Sequence, residues 1–346
     1  MKKKAVSILC MVAMSIGSLG TEVVCAAESD YALAKAPEDY KLTIYWPAPD
    51  TYFEENIQPG YQAVEEKYGV SFDYAIGTEW TQDIENQIVE AKAADGYDLF
   101  MIYGADTSGA NALYKELYEA GGKVVNYGGV MDDPQESALT VCGDVYQYSY
   151  EATCKMIESI DGDAKIINVL ENLGDVNTLE RQKGVEAAVA EYEGAEIVQT
   201  IGDITTEDEG YEKTFNALAN PGANGIIATG GTASRGLANA LKDYYASNSE
   251  AEHLFAVATD PSEEVMNGIE NGTIDIGVAQ NGYGQGYIGA IALLHLADGW
   301  EPVEWGEHIV SGFVLITKDN MDTYSSEIEQ LSIDIANDLE TVYMKK

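Results

Sequence analysis

Positive charge is what this 346-residue chain has least of. Nineteen lysines and arginines face 59 aspartates and glutamates, a formal net charge of −40. Such a surface repels polyanions, which argues against nucleic acid or an anionic membrane as the partner. Histidine is scarcer still, at three residues. His253, His295 and His308 are scattered, and His295 sits inside the apolar segment AIALLHLA (290–297). No His-Glu-x-x-His, Gly-x-Ser-x-Gly or histidine-rich cluster occurs. No catalytic residue, metal or cofactor is therefore predicted, and the chain reads as a binding protein and not an enzyme. Cysteine is also rare, and only Cys142 and Cys154 lie in the body of the chain. They lack zinc spacing and form no Cys-x-x-Cys, which predicts two free thiols, with a disulfide between them as the alternative. No stretch beyond the N-terminus is long and apolar enough to span a bilayer.

The N-terminus is where positive charge concentrates. Lys2, Lys3 and Lys4 precede a short apolar-rich run, 5–19, and small residues around Cys25, Ala26 and Ala27. This is the pattern of a secretory signal peptide, residues 1–27, so the protein is expected outside the cytoplasm, in the periplasm or at the outer cell surface. Lipid anchoring at Cys25 is an alternative, although Val24 stands where a lipoprotein signal usually has a small residue. Cleavage would remove three lysines and Glu22 and leave a still more acidic chain. Residues 28–40 read as a mobile leader.

From Lys41 onward, apolar strands alternate with helices, from LTIYW (42–46) to SGFVLIT (311–317). Alternation of this kind predicts an α/β fold with parallel sheets covered by helices on both faces. Eleven predicted strands are many for one sheet, and the length suits two domains. The reading is therefore two doubly wound parallel-sheet lobes joined by a three-strand hinge. Crossings are placed near 143, near 280 and at 306–312. The first lobe takes 41–143 plus 281–310, and the second takes 144–280 plus 311–346.

One stretch organises the candidate site: LFAVATDPSEEVMNGIENGTIDIGVAQ, 254–280. It reads as strand, helix, strand, and it places Asp260 and Gln280 beyond the carboxyl ends of the two strands, where open α/β sheets bind ligands. Asp260 as a helix cap is the plainer alternative. Arg181 stands early in a helix that follows a strand-end loop, and its planar fork suits vicinal hydroxyls. Trp46, Tyr52, Phe53, Tyr103 and Tyr127, with Trp80, are the aromatics nearest strand ends, and their rings can pack on the C–H faces of a sugar. Gly230-Gly231-Thr232 opens a helix whose N–H groups can hold a carboxylate or phosphate; a tight turn is the plainer reading.

The order Asp50-Thr51-Tyr52-Phe53, Arg181-Gln182-Lys183-Gly184-Val185, Ala258-Thr259-Asp260 and Val278-Ala279-Gln280 resembles bacterial periplasmic sugar-binding proteins of the ribose-binding type, over residues 40–317. These are type I solute-binding proteins of ABC transporters. The resemblance implies the type I periplasmic binding protein fold, a sugar ligand and an ABC transporter permease as partner. It implies that Tyr52 and Phe53 stack on the sugar while Asp50, Arg181, Asp260 and Gln280 bond its hydroxyls. A monomer is expected. Gly128-Gly129 stands where the family often has Asp-Arg, and Gly230 where it has Asn, which implies a roomier pocket. Two alternatives of other classes are a binding subunit for a sensor kinase or chemoreceptor, and an enzyme of similar two-lobed shape.

Overall fold

A computed structural model describes residues 31–49, 52–220 and 222–346 of the chain. The predicted signal peptide, Cys25 and Asp50 lie outside the described residues. The first lobe opens with β1 (Leu42–Trp46), α1 (Gln58–Tyr68), β2 (Phe72–Ile76), α2 (Gln82–Ala94), β3 (Leu99–Ile102), α3 (Thr107–Glu119), β4 (Lys123–Gly128) and β5 (Leu139–Cys142). The second follows with α4 (Val145–Ser159), β6 (Lys165–Glu171), α5 (Val176–Ala190), β7 (Glu196–Ile204), α6 (Glu207–Ala217), β8 (Gly225–Ala228), α7 (Gly231–Ser247), β9 (Phe255–Thr259), α8 (Glu263–Asn271) and β10 (Ile276–Gln280). The chain ends with α9 (Gly282–Ala297), β11 (Glu301–Pro302), β12 (Glu307–Val310), β13 (Phe313–Ile316), α10 (Tyr324–Asn337) and β14 (Met344–Lys345).

Two six-stranded sheets form, in the orders β12-β5-β4-β3-β1-β2 and β13-β10-β9-β8-β6-β7. All their neighbours are parallel except β13, which runs antiparallel to β10. The central strands lack polar alternation because helices cover both faces: every residue of β1, β3, β5 and β8 is buried. This is the doubly wound, two-lobed α/β architecture that the alternation predicts. Helix α9 is the core of the first lobe, with 14 of its 16 residues buried. Glycines on both helices let it lie backbone-to-backbone on α1 and the helical turn before it. A Cβ on Gly60 would come 2.1 Å from the Tyr283 carbonyl oxygen, and one on Gly286 would come 2.2 Å from that of Ile57.

The chain passes between the lobes after β5, after β10 and after β12, and its end returns to the first lobe after α10. The first three passes are laced together. Ser311 N–H donates to Cys142 O at 2.9 Å. Asn281 Nδ2 donates to Ser311 O at 2.6 Å, and Asn281 Oδ1 caps α9 at Gly284 N–H. Cys142 and Cys154 are both free, and burial pushes the Cys142 thiol up to about 11.

Two expectations are corrected. The segment after α10, expected in the second lobe, returns to the first: β14 pairs with β11, and Leu339 and Met344 join the first-lobe core. There both apolar side chains are removed from water, Leu339 fully and Met344 nearly so. Residues 31–40 are seated, not a free leader. The hydroxyls of Tyr31 and Tyr40 both donate to Asp298 at 2.6 Å, and the Tyr31 ring stacks on His295 at 3.9 Å.

Candidate functional site

A cleft of about 1060 Å³ lies between the lobes, lined by residues that follow the carboxyl ends of strands in both sheets. Trp46, Tyr52, Tyr103, Arg181, Asp260 and Gln280, all predicted from the sequence, line it together.

The first-lobe wall is aromatic. Trp46, Trp80 and Tyr103 meet edge to face, with ring centroids 5.7, 4.7 and 5.2 Å apart pair by pair. The Tyr103 ring lies where a side chain on residue 128 would be: a Cβ on Gly128, which has φ +81°, would fall 2.0 Å from Tyr103 Cε2. The glycines at 128–129 therefore do not simply enlarge the pocket. Tyr52 approaches from the start of the helical segment that leads into α1. Its phenol is pushed up by burial and then by Asp260, which marks its closeness to the opposite wall.

Phe53 and Tyr127 are corrections. Neither lines the cleft, and both are fully buried. The backbone is already helical at Tyr52, so the next residue turns inward. Phe53 stacks on Tyr74 at 4.9 Å and packs on Trp46 at 5.2 Å. Strand β4 runs one residue past Tyr127, which leaves that ring facing the core, its hydroxyl donating to Tyr45 O at 2.8 Å.

The second-lobe wall carries the polar groups. Asp260 follows β9 with φ +64°, a left-handed conformation that Asp and Asn tolerate better than most residues. Its N–H donates to Val278 O, and its Oδ1 accepts from Gln280 Nε2 at 2.8 Å. Burial pushes its carboxyl up, against the opposing pull of Gln280 and Arg181. The cap of α8 is Ser262, whose Oγ accepts from Val265 N–H, so Asp260 is not needed there. Arg181 Nε donates to the Tyr148 hydroxyl at 2.5 Å, which in turn donates to Thr229 O at 3.1 Å. Arg181 Nη1 lies 3.5 Å from Glu171 Oε2.

Tyr148, Glu171 and Arg235 escaped the sequence reading. Glu171 ends an apolar strand just as Asp260 follows one, and that signal was available. Tyr148 and Arg235 are interior helix positions with no such mark. The Gly230-Gly231-Thr232 turn has an internal occupant: Glu171 Oε1 accepts from Thr232 N–H at 2.8 Å and Ala233 N–H at 3.3 Å.

Behind the first-lobe wall, Glu85 is fully buried and its Oε2 accepts from Ala105 N–H at 2.6 Å. Ala105 lines the cleft, so Glu85 pins part of its floor. Burial pushes the Glu85 carboxyl up to about 7, with the Ala105 N–H partly offsetting it. A carboxyl whose folded value lies above its unfolded value contributes stability that is complete below about 4.5 and is lost as pH rises towards 7. Glu85→Gln keeps the acceptor and cannot ionise. Urea midpoints at pH 5 and pH 7.5 should fall further in the wild type than in the variant. Parallel midpoints in both proteins would show that Glu85 does not titrate in this range.

Among the described residues no three His, Cys, Asp or Glu side chains cluster as metal ligands, and no helix is long and apolar enough to cross a membrane.

Comparison with known proteins places this geometry. Among curated proteins none matches the sequence. Among solved structures, an ABC transporter solute-binding protein from Burkholderia graminis in complex with D-arabinose is 21% identical with a TM-score of 0.71, covering 84% of this chain and 99% of that one. A periplasmic ribose ABC transporter protein from Conexibacter woesei is 20% identical, TM-score 0.72, covering 85% and 98%. A solute-binding protein from Bacillus halodurans with bound myo-inositol is 17% identical, TM-score 0.68, covering 83% and 98%. At these identities the likeness is one of fold. The family itself is identified by its sequence profile, described as periplasmic binding protein domain, which matches residues 43–301. This chain, two α/β lobes around a polar and aromatic cleft, belongs to the periplasmic binding protein family.

Proposed function

We propose that the protein is an exported solute-binding protein that captures a sugar between its lobes and delivers it to an ABC transporter permease. One observation carries this reading. An aromatic wall on one lobe, Trp46, Trp80 and Tyr103, faces a hydrogen-bonding wall on the other, Arg181, Asp260 and Gln280. A sugar has both surfaces that such a cleft needs, C–H faces for rings and hydroxyls for a carboxylate, an amide and a guanidinium. D-Arabinose and myo-inositol, bound to two of the similar structures, are neutral polyhydroxylated molecules. The predicted export signal at 1–27 agrees with capture outside the cytoplasm. A monomer suffices, because both walls come from one chain.

Binding to the native state alone raises apparent stability, by about 2.7 kcal/mol at a hundred times Kd. A thermal-shift panel of pentoses, hexoses, polyols and nucleosides should therefore give at least one neutral sugar that raises Tm by several degrees. Calorimetry should then show one site per chain. A panel in which no sugar or polyol shifts Tm, or in which the ligand is consumed on incubation, would overturn the proposal.

A further inference from the structure

The positive features of the second-lobe wall are already matched from inside the protein. Glu171 places Oε1 on the first N–H groups of α7 and Oε2 beside the Arg181 guanidinium. Arg235 Nε lies 3.5 Å from Glu207 Oε2. The local sequence accommodates this arrangement. A Cβ on Gly230 would come 2.1 Å from Glu171 Oε2, and one on Gly231 would come 2.7 Å from Asp260 Oδ2. Any side chain at 230 would push the Glu171 carboxylate out of its seat. Among the described residues, the other carboxyl groups lining the cleft are Glu55, Asp144, Asp175, Glu180 and Asp260, and the lysines or arginines lining it are Arg181 and Arg235 alone.

We infer that Glu171 sets the charge of the ligand this cleft accepts: its carboxylate takes the place that an acidic group of the ligand would occupy. A helix N-terminus beside a guanidinium favours an anion. Here the chain supplies that anion itself. A sugar acid or sugar phosphate entering the cleft meets several carboxylates and, among the described residues, no unmatched lysine or arginine. A neutral or amino-bearing polyol meets acceptors instead. Glu171 thus acts as a positioning and specificity residue, through Arg181 and α7. The inference deepens the sugar-binding reading, but its first test does not depend on that reading.

That first test uses inorganic phosphate, titrated at constant ionic strength against chloride, on wild type, Glu171→Ala and Glu171→Gln. Phosphate should raise the Tm of Glu171→Ala by about 2 °C or more and leave the wild type unmoved. Should Glu171→Ala fail to fold, Glu171→Gln takes its place. It keeps the volume and the N–H acceptor but removes the negative charge 3.5 Å from Arg181, and phosphate should protect it too. No protection in a folded variant, or equal protection of the wild type, overturns the inference. The second arm measures Kd for hexoses and their matching uronic acids. Wild type should prefer the neutral sugar by about tenfold or more, and Glu171→Gln should narrow that ratio; a merely structural role would lower both affinities together, and an unchanged ratio overturns the inference. If no sugar binds while phosphate protects the variants alone, the sugar reading falls and the role of Glu171 stands.

Discussion

Replacing Asp260 by Asn is expected to weaken ligand binding tenfold or more while leaving the folded state at least as stable. The backbone at 260 is left-handed. An alanine there would add strain of its own, whereas Asn tolerates that conformation. The bond from Gln280 survives, because Asn Oδ1 accepts as Asp Oδ1 does. Ser262 still caps α8. What disappears is one acceptor oxygen and the negative charge. Charge-assisted bonds from ligand hydroxyls contribute roughly 1.5–3 kcal/mol each, so losing one costs at least tenfold in affinity. The free protein, by contrast, is relieved of a carboxylate whose ionised form burial disfavours. Calorimetry and urea unfolding on both proteins should therefore move in opposite directions or leave stability flat. Equal affinity in the Asn variant would remove Asp260 from the site.

Gly184→Val should cost about 3 kcal/mol or more of stability, at the upper end for overpacking, and should weaken binding as well. A Cβ on Gly184 would come 2.3 Å from the Tyr146 carbonyl oxygen and 3.1 Å from Tyr150 N. Those are backbone atoms of α4, which cannot rotate away as a side chain can. The helices must separate. Arg181 lies three residues earlier on α5, and its partner Tyr148 is on α4. Separation therefore loosens the guanidinium that lines the cleft. Gly184→Ala should show the same two losses to a smaller degree. Urea unfolding and calorimetry on both variants check this, and an alanine variant as stable as wild type would refute the packing argument.

The Arg181-to-Gly184 spacing is thus legible as physics as well as resemblance: the glycine seats the helix and the helix aims the arginine. Most of the fold was legible for a similar reason. Buried parallel strands are continuous apolar runs, and the helices between them carry their own stops. Of the strands that escaped, β11 and β14 have two residues each, and β12, EHIV, lacks the continuous apolar run of β3, β5 and β8. Asp260, Gln280 and Arg181 were legible as cleft-lining residues because each stands at or just past a strand end or on a helix after a strand-end loop. Phe53 and Tyr127 were misplaced because proximity to a strand end does not say which way a ring turns. For Phe53 the helix begins one residue too soon; for Tyr127 the strand ends one residue too late. Glu171 escaped because it stands about sixty residues before the glycines at 230–231 that leave it room, and only the fold brings them together.

The position of α9 in the chain has a consequence for the order of folding. Residues 144–280 supply five of the six strands of the second sheet in one continuous span. The first lobe cannot close so early, because its most buried helix is not synthesised until β1 to β5 and those five second-lobe strands have been made. Long-range pairing of this kind is slow and leaves apolar faces exposed meanwhile. Strands β1 to β5 must wait, half covered, for a helix that begins 140 residues after β5 ends. The lobe that starts first is therefore the lobe that finishes last.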